Sequence, residues 1–170
     1  DERGRATVFA CLDKADLPHV APVGRLDMAS EGLLLFTNDN AWAARLTDPA
    51  SHIDKTYHVQ VACLADETLT CRLEEGLRIE GDFLAAKKAR VLRHGTRTSW
   101  LELVLDEGKN SLSRRLLEAL DIEVLRLVRI AIGPLVLGDL PKGAVRRLTP
   151  EEVGALKGNA GGENSKFEIR

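Results

Sequence analysis

Two segments of this chain alternate apolar and polar residues with period two. They are 55–62, Lys-Thr-Tyr-His-Val-Gln-Val-Ala, built around Tyr57, Val59 and Val61, and 98–106, Thr-Ser-Trp-Leu-Glu-Leu-Val-Leu-Asp. Such alternation marks a strand with one face buried. Further strands are predicted over 32–37 and 83–93. The run 124–137 reads as one or two more, broken at Gly133-Pro134. Strands outnumber helices, and most successive strands lack the regular helix crossovers of a doubly wound fold. The expected fold class is therefore α+β, with a mainly antiparallel sheet and flanking helices.

Helices are predicted where capping chemistry is local. A short amphipathic helix is read over 6–12. Asn38-Asp39-Asn40 offers an N-cap for 41–46, stopped by Asp48-Pro49. Asp66 caps a helix to about Glu75, closed by Gly76, and Asn110 or Ser111 caps one over 112–120. Thr149-Pro150-Glu151-Glu152 carries a capping box with proline at the first helical position. The tail 158–170 holds three glycines and two asparagines and is expected to be disordered or a linker. The domain is read as 1–157, with no internal repeat.

At 170 residues, 44% hydrophobic and 29% charged, the chain suits one globular domain with a real core. A net charge of −2 argues against blanket electrostatic binding to nucleic acid, though a local basic face could still bind it. Cys11, Cys63 and Cys71 show no C-x-x-C spacing and read as reduced thiols of a cytoplasmic protein. The histidines at 19, 52, 58 and 94 are scattered, so no metal is expected. No apolar stretch reaches membrane-spanning length, and the charged first ten residues do not read as a signal peptide.

The segment that most resembles a reaction centre is Gly24-Arg25-Leu26-Asp27, followed by Met28-Ala29-Ser30-Glu31-Gly32 and the apolar run Leu33-Leu34-Leu35-Phe36. It sets one carboxylate beside a cation in a glycine-bounded loop leading into a buried strand. A carboxylate so placed can act on a sugar. It can equally be a turn aspartate bonding its own backbone, and local pattern alone favours that reading.

The longer pattern changes the balance. Pro22-Val23-Gly24-Arg25-Leu26-Asp27, Ser30-Glu31-Gly32-Leu33-Leu34 and Thr37-Asn38 resemble the signature of the RsuA/RluB/RluE/RluF family of RNA pseudouridine synthases. Lys55-Thr56-Tyr57-x-Val59 resembles that family's second motif, and Glu107-Gly108-Lys109-Asn110 with Arg114-Arg115 its third. Leu125-Arg126-Leu127, Ile132-Gly133-Pro134-Leu135 and Leu137-Gly138-Asp139-Leu140-Pro141-x-Gly143 resemble the closing segment. The matches keep the family's order from residue 3 to about 157.

The resemblance implies a pseudouridine synthase fold with a central cleft, and isomerisation of a uridine in ribosomal RNA without a cofactor. It leans toward large-subunit RNA and the RluE-like branch. Asp27 would be the catalytic carboxylate and Arg114 the cation that keeps it ionised. Tyr57 would stack on the flipped base and serve as a general base through its oxygen. Leu127 would close the other side of the base. For Tyr57 and Leu127 the alternative is ordinary core packing, and for Arg114 a surface arginine. Arg25, Lys55 and Asn110 are read as substrate contacts. Lys87 and Lys88 join them as phosphate contacts, within a cluster continuing to Arg90, Arg93 and Arg97; Arg126, Arg129, Arg146 and Arg147 form a second cluster. The expected partner is ribosomal RNA, and the expected state a monomer.

Two departures stand out. After Asn110 the family usually has Arg-Gln and an aliphatic residue, whereas this chain has Ser111-Leu112-Ser113. The family's opening strand with Lys-Pro-x-Gly is absent, and its loss would expose a sheet edge. The rival readings are an RNA-binding protein that keeps the fold without activity, and a glycoside hydrolase. The latter would need a second carboxylate, for which Glu31 is the nearest candidate.

Overall fold

The structure is a computed structural model that describes residues 8–12, 18–106 and 112–156, and the backbone of 166–169. The elements in chain order are α1 (Phe9–Leu12), β1 (Ala21–Pro22), β2 (Glu31–Gly32), β3 (Leu34–Thr37), α2 (Asn40–Thr47), β4 (Asp54–Val61), α3 (Glu67–Glu75), β5 (Leu77–Ile79), β6 (Asp82–Leu84), β7 (Lys88–His94), β8 (Ser99–Asp106), α4 (Leu112–Glu118), β9 (Val124–Ile132), β10 (Leu135–Val136), β11 (Val145–Arg147), α5 (Pro150–Ala155) and β12 (Lys166–Ile169).

The main sheet runs β10-β9-β4-β8-β7, with β2 also paired to β9. Every described pairing is antiparallel except β2 with β9, which is parallel. This is the α+β architecture expected from the alternating segments. In β4 and β8 the odd-numbered residues Val59, Val61, Leu101, Leu103 and Leu105 are fully buried. They share one core with Leu73 of α3 and Leu116 and Leu117 of α4. The opposite face carries Trp100, whose ring lies 5.0 Å from the Arg93 guanidinium and 5.6 Å from that of Arg126. A second cluster gathers Val23, Leu33, Leu35, Trp42, Leu46, Ile132, Leu135 and Leu156 around α2 and β3.

The caps explain the helix boundaries. The Asp39 carboxylate accepts from the Trp42 amide at 2.9 Å, and Asp66 accepts from Leu69 at 3.0 Å. Gly76, at φ +82°, closes α3, and Thr149 with Glu152 forms the capping box of α5. The residues proposed to cap α4, Asn110 and Ser111, lie outside the described residues.

Three readings need correction. The strand read over 83–93 is two strands, β6 and β7, and β6 turns back on β5 in a hairpin that the sequence reading missed. Its turn uses Glu80 at φ +52° and Gly81 at φ +90°, a pair whose signal is weak beside such short strands. The tail read as disordered contains β12, which pairs with β3 on one side and β11 on the other. Its alternation, Lys-Phe-Glu-Ile, is a strand pattern hidden by the glycines before it. β3 thus has β1 on one edge and β12 on the other.

Candidate active site

The loop joining β1 to β2 is built by its glycines and by one tight turn. Gly24 takes φ +71°, a left-handed conformation that costs a side-chain-bearing residue free energy. The Ser30 amide donates to the Asp27 carbonyl at 2.8 Å, closing a turn with Met28 and Ala29 at its tip. Gly32 then brings the chain against β9 so closely that a Cβ there would lie 2.2 Å from the Arg129 carbonyl oxygen.

Asp27 therefore stands at the rim of a cavity of about 510 Å³. Arg25, Asp27, Met28, Lys55, Tyr57, Leu127 and Arg129 are among the residues that line it. Register explains the convergence. Tyr57 on β4 faces Arg129 on β9, and Val59 faces Leu127, so Tyr57, Leu127 and Arg129 fall on the same side of the sheet.

Arg114, on α4, reaches the loop that bears Asp27. Its Nε lies 3.5 Å from Asp27 Oδ2, and its Nη2 donates to the Ala29 carbonyl at 3.3 Å. The ion pair is half-sheltered, with the Arg114 side chain 21% exposed and that of Asp27 37%. Asp27 lines the cavity and Arg114 is not among the lining residues. Arg25 makes no ion pair with Asp27 among the described residues; its carbonyl instead accepts from Arg129 at 3.4 Å.

The loop's far end is pinned separately. Arg126 grips Glu31 through Nε at 2.7 Å and Nη2 at 3.1 Å, and Lys142 stands 3.7 Å away. The Arg126 hydrogen bond holds the Glu31 carboxyl below its usual pKa, against the opposing effect of burial. Glu31 is consequently a structural anchor and not a second carboxylate open to the cavity.

Several other basic residues have acidic partners or are buried. Lys87 and Lys88 do not line the cavity; Lys87 is held by Asp54 at 2.9 and 3.0 Å. Arg90 pairs with Glu102 at 2.8 Å. Of the second cluster, Arg126 is tied to Glu31, Arg146 to Glu152, and Arg129 is buried. Asn110 lies outside the described residues.

The residue that the sequence reading misplaced most is Arg129, grouped there with surface cations. The available signal was a charge at the centre of an apolar strand, two residues from Leu127 and hence on its face. Among the described residues no group of three or more His, Cys, Asp or Glu side chains is arranged to hold a metal. No described helix is long and apolar enough to cross a membrane.

Comparison with known proteins gives the family. The family model described as RNA pseudouridylate synthase matches residues 3–119. The chain is 38% identical over 160 residues to ribosomal large subunit pseudouridine synthase B of Bacillus subtilis, covering 92% of this chain and 65% of that protein. It is 37% identical over 154 residues to an uncharacterized RNA pseudouridine synthase of Aquifex aeolicus, covering 90% of this chain and 61% of that protein. The chain thus spans less than two thirds of the length of either relative. A crystal structure of a pseudouridylate synthase superposes with a TM-score of 0.76 at 31% identity, covering 89% of this chain and 65% of that one.

Proposed function

The chain belongs to the RNA pseudouridylate synthase family, and from that premise we propose that it isomerises a uridine of ribosomal RNA, in the large subunit, to pseudouridine. One observation carries the reading: a single carboxylate, Asp27, ion-paired to Arg114 at the rim of a cavity whose wall includes Tyr57 and Leu127. That is the minimum the reaction needs.

The target nucleotide leaves its stack and enters the cavity. Its uracil lies against the Tyr57 ring, a contact worth about 1–3 kcal/mol and indifferent to sequence. Leu127, 3% exposed, closes the pocket beside it. Asp27 then attacks the ribose or removes a proton from it, and the bond between uracil N1 and the anomeric carbon breaks. The base turns within the pocket and its carbon five bonds to the same carbon, as the bond from Asp27 to that carbon breaks or the proton Asp27 took returns to the ribose. The proton on carbon five leaves, with the Tyr57 oxygen as acceptor, and N1 takes up a proton. Atoms and electrons balance within the nucleotide, so no redox partner is required. Arg25 and Lys55, both lining the cavity, supply the cations for phosphates flanking the target.

The test is pseudouridine mapping in transcribed large- and small-subunit ribosomal RNA with purified protein and with Asp27→Asn. The wild type is expected to modify large-subunit RNA. The variant should lose about 1,000-fold or more in rate while its thermal midpoint stays within about 2 °C. Wild-type turnover by Asp27→Asn would sink the assignment. RNA binding without pseudouridine in either RNA would instead favour the fold-retaining binding protein, with the change at Ser111-Leu112-Ser113 as its origin.

A further inference from the structure

Arg129 occupies a position where an apolar side chain would be cheaper. It sits in mid-strand, is 6% exposed, and lines the cavity. Its guanidinium reaches two backbone points on opposite sides of Asp27. Nε donates to the Leu33 carbonyl at 2.8 Å, and Nη1 donates to the Arg25 carbonyl at 3.4 Å. Its backbone grips the same segment: Gly32 pairs with Arg129 in the parallel ladder, and the Leu33 amide donates to the Arg129 carbonyl at 2.8 Å.

These contacts do not amount to an optimised core ion. No carboxylate pairs with Arg129 among the described residues, and its Nη2 is buried there without a hydrogen-bond partner. Burying a cation without a counter-charge is costly, and an orphaned charged donor adds to that cost. Such an exception calls for a role other than stability.

We propose that Arg129 is a positioning residue for Asp27: its guanidinium clamps the segment 24–33 across β9, and so fixes the carboxylate relative to Tyr57 and Leu127. Lysine would keep the charge but present one compact head that cannot span both carbonyls. The proposal rests on the function proposed above, because it assigns Asp27 a reacting partner.

The experiment compares the full chain with Arg129→Lys and Arg129→Met, using two readouts. The first is amide hydrogen exchange in a peptide covering 24–33, with a β8 peptide as internal control. The second is steady-state kinetics on whichever RNA the wild type modifies. Expected are about tenfold faster exchange in 24–33 with β8 unchanged, a kcat lower by about 10- to 100-fold, and a KM within about threefold of wild type. Unchanged exchange in 24–33 overturns the clamp. Equal acceleration in β8 reduces Arg129 to general stability and also overturns it. A loosened segment with wild-type kcat overturns the positioning of Asp27. A wild type without isomerase activity defeats the proposed function alone, since exchange still decides the clamp. If Arg129→Met does not fold, Arg129→Lys carries the test.

Discussion

Gly32 and Gly24 both take positive φ, yet they predict different losses. At Gly32, φ is +109° and a Cβ would meet the Arg129 carbonyl oxygen at 2.2 Å and its nitrogen at 2.7 Å. Both are backbone atoms of the parallel ladder and cannot yield without breaking it. At Gly24, φ is +71° and the nearest atom is the Thr47 methyl at 3.5 Å, an ordinary contact. Gly24→Ala should therefore cost only the left-handed conformation, about 1 kcal/mol. Gly32→Ala should cost about 2–4 kcal/mol and displace the loop bearing Asp27. Thermal melts separate the two at about 2–4 °C per kcal/mol; equal shifts would mean that β2 does not approach β9 so closely. Tyr57→Phe tests a different atom. It keeps the stacking face, so RNA affinity should hold while the rate falls by about 10²-fold if the phenol moves a proton. An unchanged rate removes that role. Residues at this scale were unevenly legible in the sequence. The glycine-bounded loop alone favours a turn aspartate at Asp27, which stands out only beside the motifs around Tyr57 and Arg114, and Tyr57 is the chain's one tyrosine. Arg129 does not stand out, because its meaning depends on the register that sets it opposite Tyr57, which no local pattern encodes.

Short elements here lean on their caps, and α5 is the clearest case. It has six residues, none of them buried. Glu152 serves two partners: its carboxylate accepts from the Thr149 amide at 2.9 Å and from both terminal nitrogens of Arg146 at 2.8 and 2.7 Å. The Arg146 hydrogen bonds, more than offsetting burial, bring the Glu152 carboxyl from 4.5 down to about 2. A folded-state pKa below the unfolded one gives stability that is full above the unfolded value and is lost as pH falls through the folded value. The Glu152 contribution should hold above about pH 4.5 and fade toward pH 2. Glu152→Gln should cost about 1–2 kcal/mol near neutral pH and flatten the acid limb of a stability profile measured by denaturant titration. An acid limb as steep as that of the wild type would count against the pair. The helix itself was readable because its cap is local: Thr149, Pro150 and Glu152 lie within four residues. The same holds for Asp39 and Asp66. The elements that were misread, the β5–β6 hairpin and β12, hold only through partners. β12 exists between β3 and β11, more than a hundred residues from the former.

The main-sheet cluster and the α2 cluster meet along β9, and both line the cavity. Leu127 belongs to the cluster beneath the main sheet, whereas Ile132 on the same strand belongs to the cluster around α2. The cavity wall draws Val23, Leu35, Leu46 and Ile132 from the second, and Tyr57, Leu112 and Leu127 from the first. Loosening either core should therefore open the site, and neither should unfold alone. The chain's two tryptophans give a direct test. Trp42 is fully buried in the α2 cluster, and Trp100 lies on β8 against Arg93 and Arg126. Trp100→Phe leaves a reporter of the first environment, and Trp42→Phe a reporter of the second. Within each single-tryptophan protein, fluorescence and far-ultraviolet dichroism should melt at one midpoint, as two-state unfolding requires. Adding Leu127→Ala should remove about 2–5 kcal/mol of buried packing and lower both reporters by the same increment, although Trp42 belongs to the other cluster. A fall confined to the Trp100 reporter would show two independently stable halves. The cavity would then be a gap between separate units, and its geometry would depend on something other than the shared strand.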